Sequence, residues 1–426
     1  MTRLTQVDAF FVAYQQAHGV ALQLACEVEL EGPVRREHLE RALRHAVRRW
    51  PVLGQRLRAG LLGVRWAGEP RLELEEGPPA GSVAWRNQLV DPFREPPFAA
   101  RWSPRPSGAR LAFRVHHALA DGQAFYVVVR AILRGVGLAV AGAEPEGGGP
   151  RPAEHPFGLL SLLRGRRSKL ASMWRYLRWL QREGQANDAT RLAIRSSDPG
   201  PVRVDTVRLE SSELATLALR ARAYEVTPSV CVAACWARAL ARFNAARGVD
   251  PGSKVSLEIP FSIRRGAATE VLGNLVSPLV FDGPGRAPLG VLARRFGQQL
   301  RAQRAARGHL AMPLFTAPGR WLPWPLFRRL AANEAWSGFA SGHYTWLEDP
   351  EGLGRLVRES SAGALRLGRY LLHPPVCRTM GASLVAFRSD DALELYLGSR
   401  TTALGAEEAQ ELGRHLRAEL DAVVHG

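Results

Sequence analysis

Cysteine is scarce in this chain, which limits both disulfide and metal chemistry. Four cysteines occur among 426 residues, and no pair has the spacing of zinc ligands. Cys231 and Cys235 lie one helical turn apart among valines and alanines, so we expect core side chains rather than a redox pair; the others are Cys26 and Cys377. The opening MTRLTQVDAFF lacks the basic and apolar segments of a secretion signal. We therefore expect a reducing, cytoplasmic location and no bound metal.

Long uncharged apolar runs and two common enzyme signatures are also missing. No stretch of about 18 uncharged apolar residues occurs, which argues against a membrane-spanning helix. No Gly-x-Ser-x-Gly elbow precedes a helix, and no Gly-x-x-x-x-Gly-Lys-Ser/Thr loop is present. These absences disfavour a serine hydrolase and a nucleotide hydrolase.

The positive charge is carried almost wholly by arginine. The chain has 57 lysine and arginine residues against 40 acidic residues, a net charge of +17, and Lys169 and Lys254 are its only lysines. A positive field attracts anionic lipids and phosphates, so three interpretations stay open: ordinary solvated charge, an anionic membrane face and nucleic acid. The bias toward arginine, alanine and glycine favours the first, then a peripheral position on the inner membrane face; we expect no nucleic-acid partner.

Length and apolar content predict two compact lobes. Hydrophobic residues make up 46% of the chain, enough for more than one core. Apolar residues alternate with polar ones over Val20–Leu30, which predicts a strand, and recur every three or four residues over Arg35–Trp50, which predicts an amphipathic helix that ends before Pro51. We place the lobes at residues 1–185 and 186–426, each a mixed sheet covered by helices.

The second half repeats this alternation of strands and helices. Ser211 or its neighbour Ser212 can cap the helix after VRVDTVRLE, and Thr227 followed by Pro228 predicts a helix that reaches about Arg247. Further elements are predicted at KVSLEIPFSI, NLVSPLVF, GASLVAFR and LELYLGS, which are strands, and at Ala406–Val424, which is a helix.

The most informative stretch is RVHHALADG, at the end of an apolar strand. Imidazole is half-protonated near neutral pH, so His117 is the candidate general base; His116 points to the other face of the strand, and the two cannot easily share a metal ion. Asp121 can hold the turn through the backbone or an arginine, and Gly122 permits a backbone geometry that other residues resist. A helix over Gly122–Leu133 follows. Without further context the stretch is equally well a strand-end turn with surface histidines.

The stretch resembles the HHxxxDG signature of the superfamily that contains chloramphenicol acetyltransferase, peptide-synthetase condensation domains and the wax ester synthase/diacylglycerol acyltransferases. TQVDAFFVAYQQ and VELEGPVRREHLERALRHAVRRWPVLGQRLR resemble the opening of the wax ester synthase group, and VSLEIPFSIRR and GNLVSPLVF resemble its later elements. The DFGWG and N-V-P-G elements found in parts of the superfamily are absent. The resemblance implies an α/β fold with mixed α+β sheets, in two chloramphenicol-acetyltransferase-like lobes with a tunnel at their interface.

The resemblance also implies roles for single residues. His117 is implied to be the general base and His116 a supporting residue. Asp121 is implied to be structural and paired with Arg264, a pairing that would clip the two halves together behind the base. Candidates for contact with the oxyanion or the substrate are Ser341, Thr345 and Asn274, each of which can also be an ordinary structural residue.

By the same resemblance, the expected activity is acyl transfer to a hydroxyl acceptor, such as a lipid or a secondary metabolite. The donor is an acyl thioester, either acyl-CoA or the phosphopantetheine thioester of an acyl carrier protein, and neither an acyl-enzyme nor a bound cofactor is needed. Two alternatives stay open. One is an amide-forming, free-standing condensation enzyme with an amine acceptor; the other is a non-catalytic binding protein of the same fold.

Two segments combine basic and aromatic residues. Leu159–Leu180 contains Arg, Lys, Trp and Leu and can lie in an anionic membrane interface, although a crossover helix that packs Leu170, Trp174 and Leu177 on the fold is the favoured interpretation. Met312–Leu330 is a similar candidate and can instead line an acyl tunnel.

Overall fold

The structure is a computed structural model of the chain, residues 1–426. It describes the chain except for residues 1–2, 61–62, 78–82, 145–188, 251–253, 265–270, 307, 309, 311–318, 320, 334–339, 350 and 390. Within 145–188, three helical residues are described: Ala171, Trp174 and Arg178.

The part of the first half that is described begins with a helix and then alternates strands with helices. The helices are α1 (Gln6–His18), α2 (Arg36–Arg49), α3 (Val83–Asn87) and α4 (Gly122–Val140). The strands are β1 (Gln23–Glu31), β2 (Arg56–Gly60), β3 (Gly63–Ala67), β4 (Leu74–Glu76), β5 (Phe98–Arg105) and β6 (Gly108–His116).

The second half continues the alternation. The helices are α5 (Ser211–Ala223), α6 (Pro228–Ala245), α7 (Leu289–Ala305), α8 (Trp324–Ala331), α9 (Leu353–Ser360) and α10 (Ala406–Val424). The strands are β7 (Val202–Glu210), β8 (Lys254–Ser262), β9 (Val276–Pro284), β10 (Gly342–Glu348), β11 (Arg366–His373), β12 (Ala382–Arg388) and β13 (Ala392–Arg400).

The first sheet has the order β11-β1-β6-β5-β4 and forms the base of the first lobe. β1 runs antiparallel to β6, with Gln23 opposite His116, so the strand that ends at the histidine pair lies in the middle of the sheet. β11 comes from the second half of the chain and pairs antiparallel with β1, with His373 opposite Ala25. The second half therefore contributes one strand to the sheet of the first lobe. The boundary at 185/186 falls among residues outside the described ranges and stays a prediction.

The second sheet has the order β7-β13-β12-β10-β8-β9 and contains both parallel and antiparallel pairs. Its two faces pack against different cores. In β12, Leu384 and Ala386 belong to the core of the second lobe, whereas Val385 and Phe387 belong to the core of the first lobe. Because alternate side chains of a strand point to opposite faces, this sheet lies between its own helices and the first lobe.

Helix α4 is the central helix of the first lobe. It is long and apolar enough to cross a membrane by length and composition, but 61% of its most apolar window is buried. It packs on α2 and α9, and a Cβ at Gly137 would lie 2.0 Å from Ser360 Oγ, so glycine permits the close approach of α4 and α9. Burial in the first lobe accounts for the apolar composition of α4.

The predicted fold class is confirmed, and most predicted elements are present within a few residues. Two differences have clear reasons. α4 continues to Val140, beyond the predicted end at Leu133, because its buried face continues through Val136 and Ala139. Ser211 does not cap α5: Glu210 is the N-cap residue, and the Ser211 hydroxyl donates to the carbonyl of Asp391. The strand β11 was not predicted.

Candidate functional site

His117 lies at the seam between the two lobes, directly after β6. Its backbone N–H donates to the carbonyl of Leu22 at 3.0 Å, and its carbonyl accepts a hydrogen bond from Asn274 Nδ2 at 2.6 Å. Its ring stacks on Phe11 of α1, with ring centroids 3.9 Å apart and planes 5° apart. Backbone and ring are thus fixed by three segments of the chain, and the side chain keeps partial exposure.

The surroundings of the His117 imidazole favour its neutral form. Burial lowers its pKa below the ordinary value, although its own carbonyl, the Asp121 charge, the Asn274 side chain and the Asp8 charge each raise it. Nδ1 is buried and forms no hydrogen bond with the described residues. This leaves Nε2 as the nitrogen that can face a substrate, with a free lone pair at neutral pH.

Asp121 and Arg264 form a buried ion pair between the halves of the chain. Arg264 Nη2 lies 2.9 Å from both Asp121 oxygens, and the two side chains are 1% and 3% exposed. Asp121 also caps α4 by accepting from Ala124 N at 2.8 Å and accepts from Leu275 N at 2.9 Å. Arg264 donates further to the carbonyl of Gly273 at 2.8 Å. The turn after His117 is therefore held to the second half by the charged pair and by the backbone N–H of Leu275.

His116 supports the turn and does not face the seam. It is fully buried, its Nδ1 accepts from Ala118 N at 3.0 Å, and burial lowers its pKa to about 3. The interpretation of His116 and His117 as surface histidines is therefore wrong. Such a low pKa keeps His116 neutral, so it adds no positive charge beside His117.

Glycine at position 122 is explained by packing and not by the predicted backbone geometry. It is the first residue of α4 and does not have a positive φ, so no unusual backbone geometry requires glycine there. A Cβ at this position would instead lie 3.3 Å from Leu347 Cδ2 of β10. Glycine thus permits the close approach of the motif to the second sheet.

Asn274 joins three segments around His117. Its Nδ2 donates to Asp8 Oδ1 at 2.8 Å as well as to the His117 carbonyl, and its backbone N–H donates to the same Asp8 oxygen at 2.9 Å. The other Asp8 oxygen accepts from the Thr5 hydroxyl at 2.7 Å. Because both hydrogens of the Asn274 amide are engaged, the arrangement favours a positioning role over contact with an oxyanion. Asp8 was missed, since Thr5-x-x-Asp8 at a helix start is typical of a capping box.

Ser341 and Thr345, just before and within β10, differ in burial and in the groups around their side chains. Ser341 is fully buried; its hydroxyl accepts from Ser256 N at 3.0 Å and donates to the carbonyl of Thr190. This arrangement favours a structural role for Ser341. Thr345 is partly exposed and shares a strand face with Leu347, which packs on the first-lobe core, so its side chain points toward the first lobe.

Two polar side chains that sequence reasoning did not single out lie on the same side of the second sheet. His343 of β10 and Glu258 of β8 are register partners on adjacent parallel strands. Burial raises the pKa of Glu258 to about 7; burial and the charge of His117 lower the pKa of His343 to about 4. The available signal was a glutamate at an inward position of the apolar strand KVSLEIPFSI.

The basic aromatic segments are only partly described. Most of Leu159–Leu180 lies outside the described residues; Trp174 there is 59% exposed, with the Arg178 guanidinium 5.2 Å from the ring centroid. Trp174 therefore does not pack on the fold, in contrast to the prediction of a crossover helix that packs this residue. In Met312–Leu330, residues 312–318 and 320 also lie outside the described residues, and the remainder leads into α8, which packs on α1.

Comparison with known proteins gives matches among solved structures. No protein-family model matches the chain, and no curated protein matches it. The condensation domain of the Monacolin K polyketide synthase MokA superposes with a TM-score of 0.72 at 12% identity, covering 100% of this chain and 97% of that one. The starter condensation domain of the rhizomide synthetase RzmA, in complex with C8-CoA and Leu-SNAC, gives 0.71 at 17% identity, covering 99% and 94%.

A third structure, the complex of the X-domain and OxyB from teicoplanin biosynthesis, gives a TM-score of 0.64 at 19% identity and covers 100% of this chain and 93% of that one. At these identities the likeness shows the fold. The chain has the two-lobed, chloramphenicol-acetyltransferase-like fold of condensation domains over its full length.

Proposed function

We propose that the chain is an acyltransferase that moves an acyl group from a thioester to an acceptor hydroxyl, with His117 as general base. The observation that carries the proposal is the placement of His117 at the lobe seam, with Nδ1 buried and Nε2 left to face a substrate. A ring held by stacking on Phe11 keeps that nitrogen in one direction, which is what proton transfer to a positioned base requires.

The reaction needs no acyl-enzyme. The acceptor oxygen attacks the thioester carbonyl carbon while His117 Nε2 takes the hydroxyl proton, and a tetrahedral oxyanion forms. The C–S bond then breaks, the carbonyl re-forms, and His117 returns the proton to the departing sulfur. The products are an ester and a free thiol. Thr345, partly exposed on the face toward the first lobe, is the proposed hydrogen-bond donor to the oxyanion.

The proposed donor is acyl-CoA, with the phosphopantetheine thioester of an acyl carrier protein as its variant. The RzmA domain, which shares the fold, was solved with C8-CoA, and this supports a CoA thioester. The same complex contains Leu-SNAC, an amino acid thioester, and so favours a second candidate: amide formation with an amine acceptor. In that reaction His117 takes a proton from the amine nitrogen instead of an oxygen.

A non-catalytic role is the candidate from a different class. The X-domain with this fold was solved as a complex with OxyB, which supports the idea that such a fold can bind a protein partner. A binding protein needs no base at the seam, whereas here three segments fix the His117 ring and backbone. The fixing of this one imidazole by three segments therefore favours catalysis over a purely binding role.

The proposed location is cytoplasmic, with a peripheral membrane contact through α8. Trp321, Leu326 and Leu330 are 40%, 47% and 50% exposed, and Arg328 and Arg329 lie exposed among them. Apolar side chains flanked by arginines suit the interface of an anionic bilayer. A lipid acceptor would be reached from that surface.

The deciding experiment is thiol release from acyl-CoA with a panel of alcohols and amines, followed by product masses. His117→Ala should lower kcat by roughly 10²–10⁴, while the melting temperature stays near that of the wild type because the backbone hydrogen bonds of residue 117 remain. His38→Ala, a change of a histidine on the surface helix α2, is the matched control and should leave kcat unchanged. Equal turnover by His117→Ala and wild type would remove His117 from its role; no turnover by wild type with any acceptor would favour the binding protein.

A further inference from the structure

Two carboxylates of the first lobe bind neighbouring residues of the second half. The backbone N–H of Asn274 donates to Asp8 Oδ1 at 2.9 Å, and the backbone N–H of Leu275 donates to Asp121 Oδ2 at 2.9 Å. The side chain of Asn274 donates to the same Asp8 oxygen at 2.8 Å and to the carbonyl of His117 at 2.6 Å. The residue that binds Asp8 therefore also fixes the backbone of the candidate base.

Only one of these two carboxylates is paired with a cation. Asp121 lies 2.9 Å from the Arg264 guanidinium, whereas Asp8 has no arginine, lysine or histidine within ion-pair distance among the described residues. Asp8 is 5% exposed, and its two oxygens accept four hydrogen bonds, two from Thr5 and two from Asn274. Because each of these contacts is donated to the carboxylate, they hold it as an anion. No opposite charge beside Asp8 cancels its field.

The two oxygens of Asp8 bind different parts of the chain. Oδ2 accepts from the Thr5 hydroxyl at 2.7 Å and from the Thr5 N–H at 3.1 Å, which completes the capping box of α1. Oδ1 takes no part in the capping box and accepts from Asn274 alone, 266 residues later in the chain. Capping of α1 therefore accounts for one oxygen of Asp8 and leaves the other unexplained.

Helix α1 reaches His117 through two residues one turn apart. Phe11 stacks on the imidazole with ring centroids 3.9 Å apart, and Asp8, three residues earlier, holds the amide of Asn274. Residues three apart on a helix are surface neighbours, so the Asp8 carboxylate lies on the side of α1 that faces His117. The charge of Asp8 favours the protonated ring and so raises the pKa of His117, as the charge of Asp121 does, while burial lowers it. The titratable and charged groups around His117 are Asp8, Asp121, Arg264, His116 and His343.

We propose that Asp8 is a positioning residue for the base: it holds Asn274 in place, and its charge stabilises the imidazolium that forms when His117 takes the acceptor proton. That proton stays on Nε2 from the attack on the thioester carbonyl until it passes to the departing sulfur, so the ring is positive while the tetrahedral oxyanion exists. A fixed negative charge at a buried site lowers the energy of this state without moving during the reaction. The inference rests on the proposed acyl transfer and adds a positioning residue to it.

The test compares Asp8→Asn with wild type, using octanoyl-CoA as donor and 1-pentanol as acceptor. The substitution keeps the shape and removes the charge, so kcat should fall by roughly 10–100-fold while the KM values stay near those of wild type. The pH at which kcat/KM reaches half of its plateau should move to lower pH by up to about one unit, because the protonated ring loses a favourable charge. Asp8→Glu keeps the charge and the capping box, so its midpoint should stay near that of wild type although kcat falls.

Two controls separate positioning from capping. Thr5→Ala removes the hydroxyl of the capping box and leaves Oδ1 of Asp8 on Asn274, so it should lower the melting temperature and leave the pH midpoint unchanged. Asp391→Asn, at an exposed aspartate, is the matched control for the loss of a charge and should change neither kcat nor the midpoint. A midpoint for Asp8→Asn equal to that of wild type overturns the inference, even where kcat or the melting temperature falls.

An NMR titration of His117, with its signal assigned by its loss in His117→Ala, separates this inference from the proposed function because it needs no acceptor. A lower pKa of His117 in Asp8→Asn, without thiol release by the wild type, supports the contact of Asp8 with the imidazole and overturns acyl transfer. An unchanged pKa overturns the role of Asp8 and leaves acyl transfer to the turnover assay. If melting curves show that Asp8→Asn does not fold, Asn274→Ala replaces it: a loss of kcat supports the inference, and wild-type kcat overturns it.

Discussion

Replacing Arg264 by methionine should destabilise the protein because it leaves Asp121 charged and buried. The substitution keeps most of the side-chain volume and removes the only charged partner that Asp121 has among the described residues. The carbonyl of Gly273 also loses its hydrogen bond from Nη2. Asp121 keeps its bonds from the backbone N–H groups of Ala124 and Leu275.

The magnitude follows from these remaining contacts. Breaking a buried ion pair by removing one partner costs roughly 3–5 kcal/mol. Because two backbone donors still solvate the Asp121 carboxylate, we expect the lower end, about 3 kcal/mol of unfolding free energy. For lobes of this size each kcal/mol lowers the melting temperature by roughly 2–4 °C, so Arg264→Met should melt roughly 6–12 °C below the wild type.

The assay is thermal unfolding followed by circular dichroism, with Arg366→Met as the matched control. Arg366 pairs with Glu31 at the surface, where their side chains are 78% and 40% exposed, and exposed pairs contribute less than about 1 kcal/mol. Adding Asp121→Asn to Arg264→Met should recover part of the loss, since the uncompensated charge is then gone. A melting temperature for Arg264→Met that matches the Arg366→Met control would refute the reasoning.

Two further predictions concern pH and the membrane. With a neutral alcohol as acceptor, kcat/KM should be constant above about pH 6.5, the ordinary pKa of histidine. Below the lowered pKa of His117, kcat/KM should fall tenfold per pH unit, because the protonated ring cannot take a proton. Activity that rises as the pH falls would contradict the role of His117 as base. Binding to anionic vesicles should weaken with added salt and with Arg328→Ala/Arg329→Ala; equal binding to neutral vesicles, or none at low salt, would contradict the contact through α8.

Residue patterns predicted the fold well wherever one face of an element is buried. The bounds of α2 and β1 agree with the predicted bounds within one to three residues, and in α2 the burial of a single face imposes its period on the sequence. In β1, residues 25–28 are all buried, so both faces of that strand are covered and its burial does not follow the predicted alternation. The cap at Thr227 also needs only local geometry, and its hydroxyl accepts from Val230 N as expected. Such features depend on neighbours close in sequence, so composition and spacing suffice.

Features that depend on distant partners were missed. β11 lies at the edge of the first sheet, next to a strand more than three hundred residues earlier in the chain, as the pairing of His373 with Ala25 shows. The sequence predicts that Gly122 is needed for its backbone geometry, but the close approach of Leu347 explains the glycine instead. Glu258 and His343 carry no motif, and only the register of β8 and β10 brings them to one face. No local pattern encodes such contacts.

In the proposed mechanism, the position of His117 makes catalysis depend on the contact between the two lobes. Its carbonyl is held by Asn274, whose amide also binds Asp8 of α1, and the turn that follows is held by Arg264 through Asp121. A shift of the second half away from the first would therefore move the base as well as break the ion pair. A variant that weakens this junction should lose activity before it unfolds, since proton transfer depends on alignment within about 0.5 Å whereas the two cores remain packed.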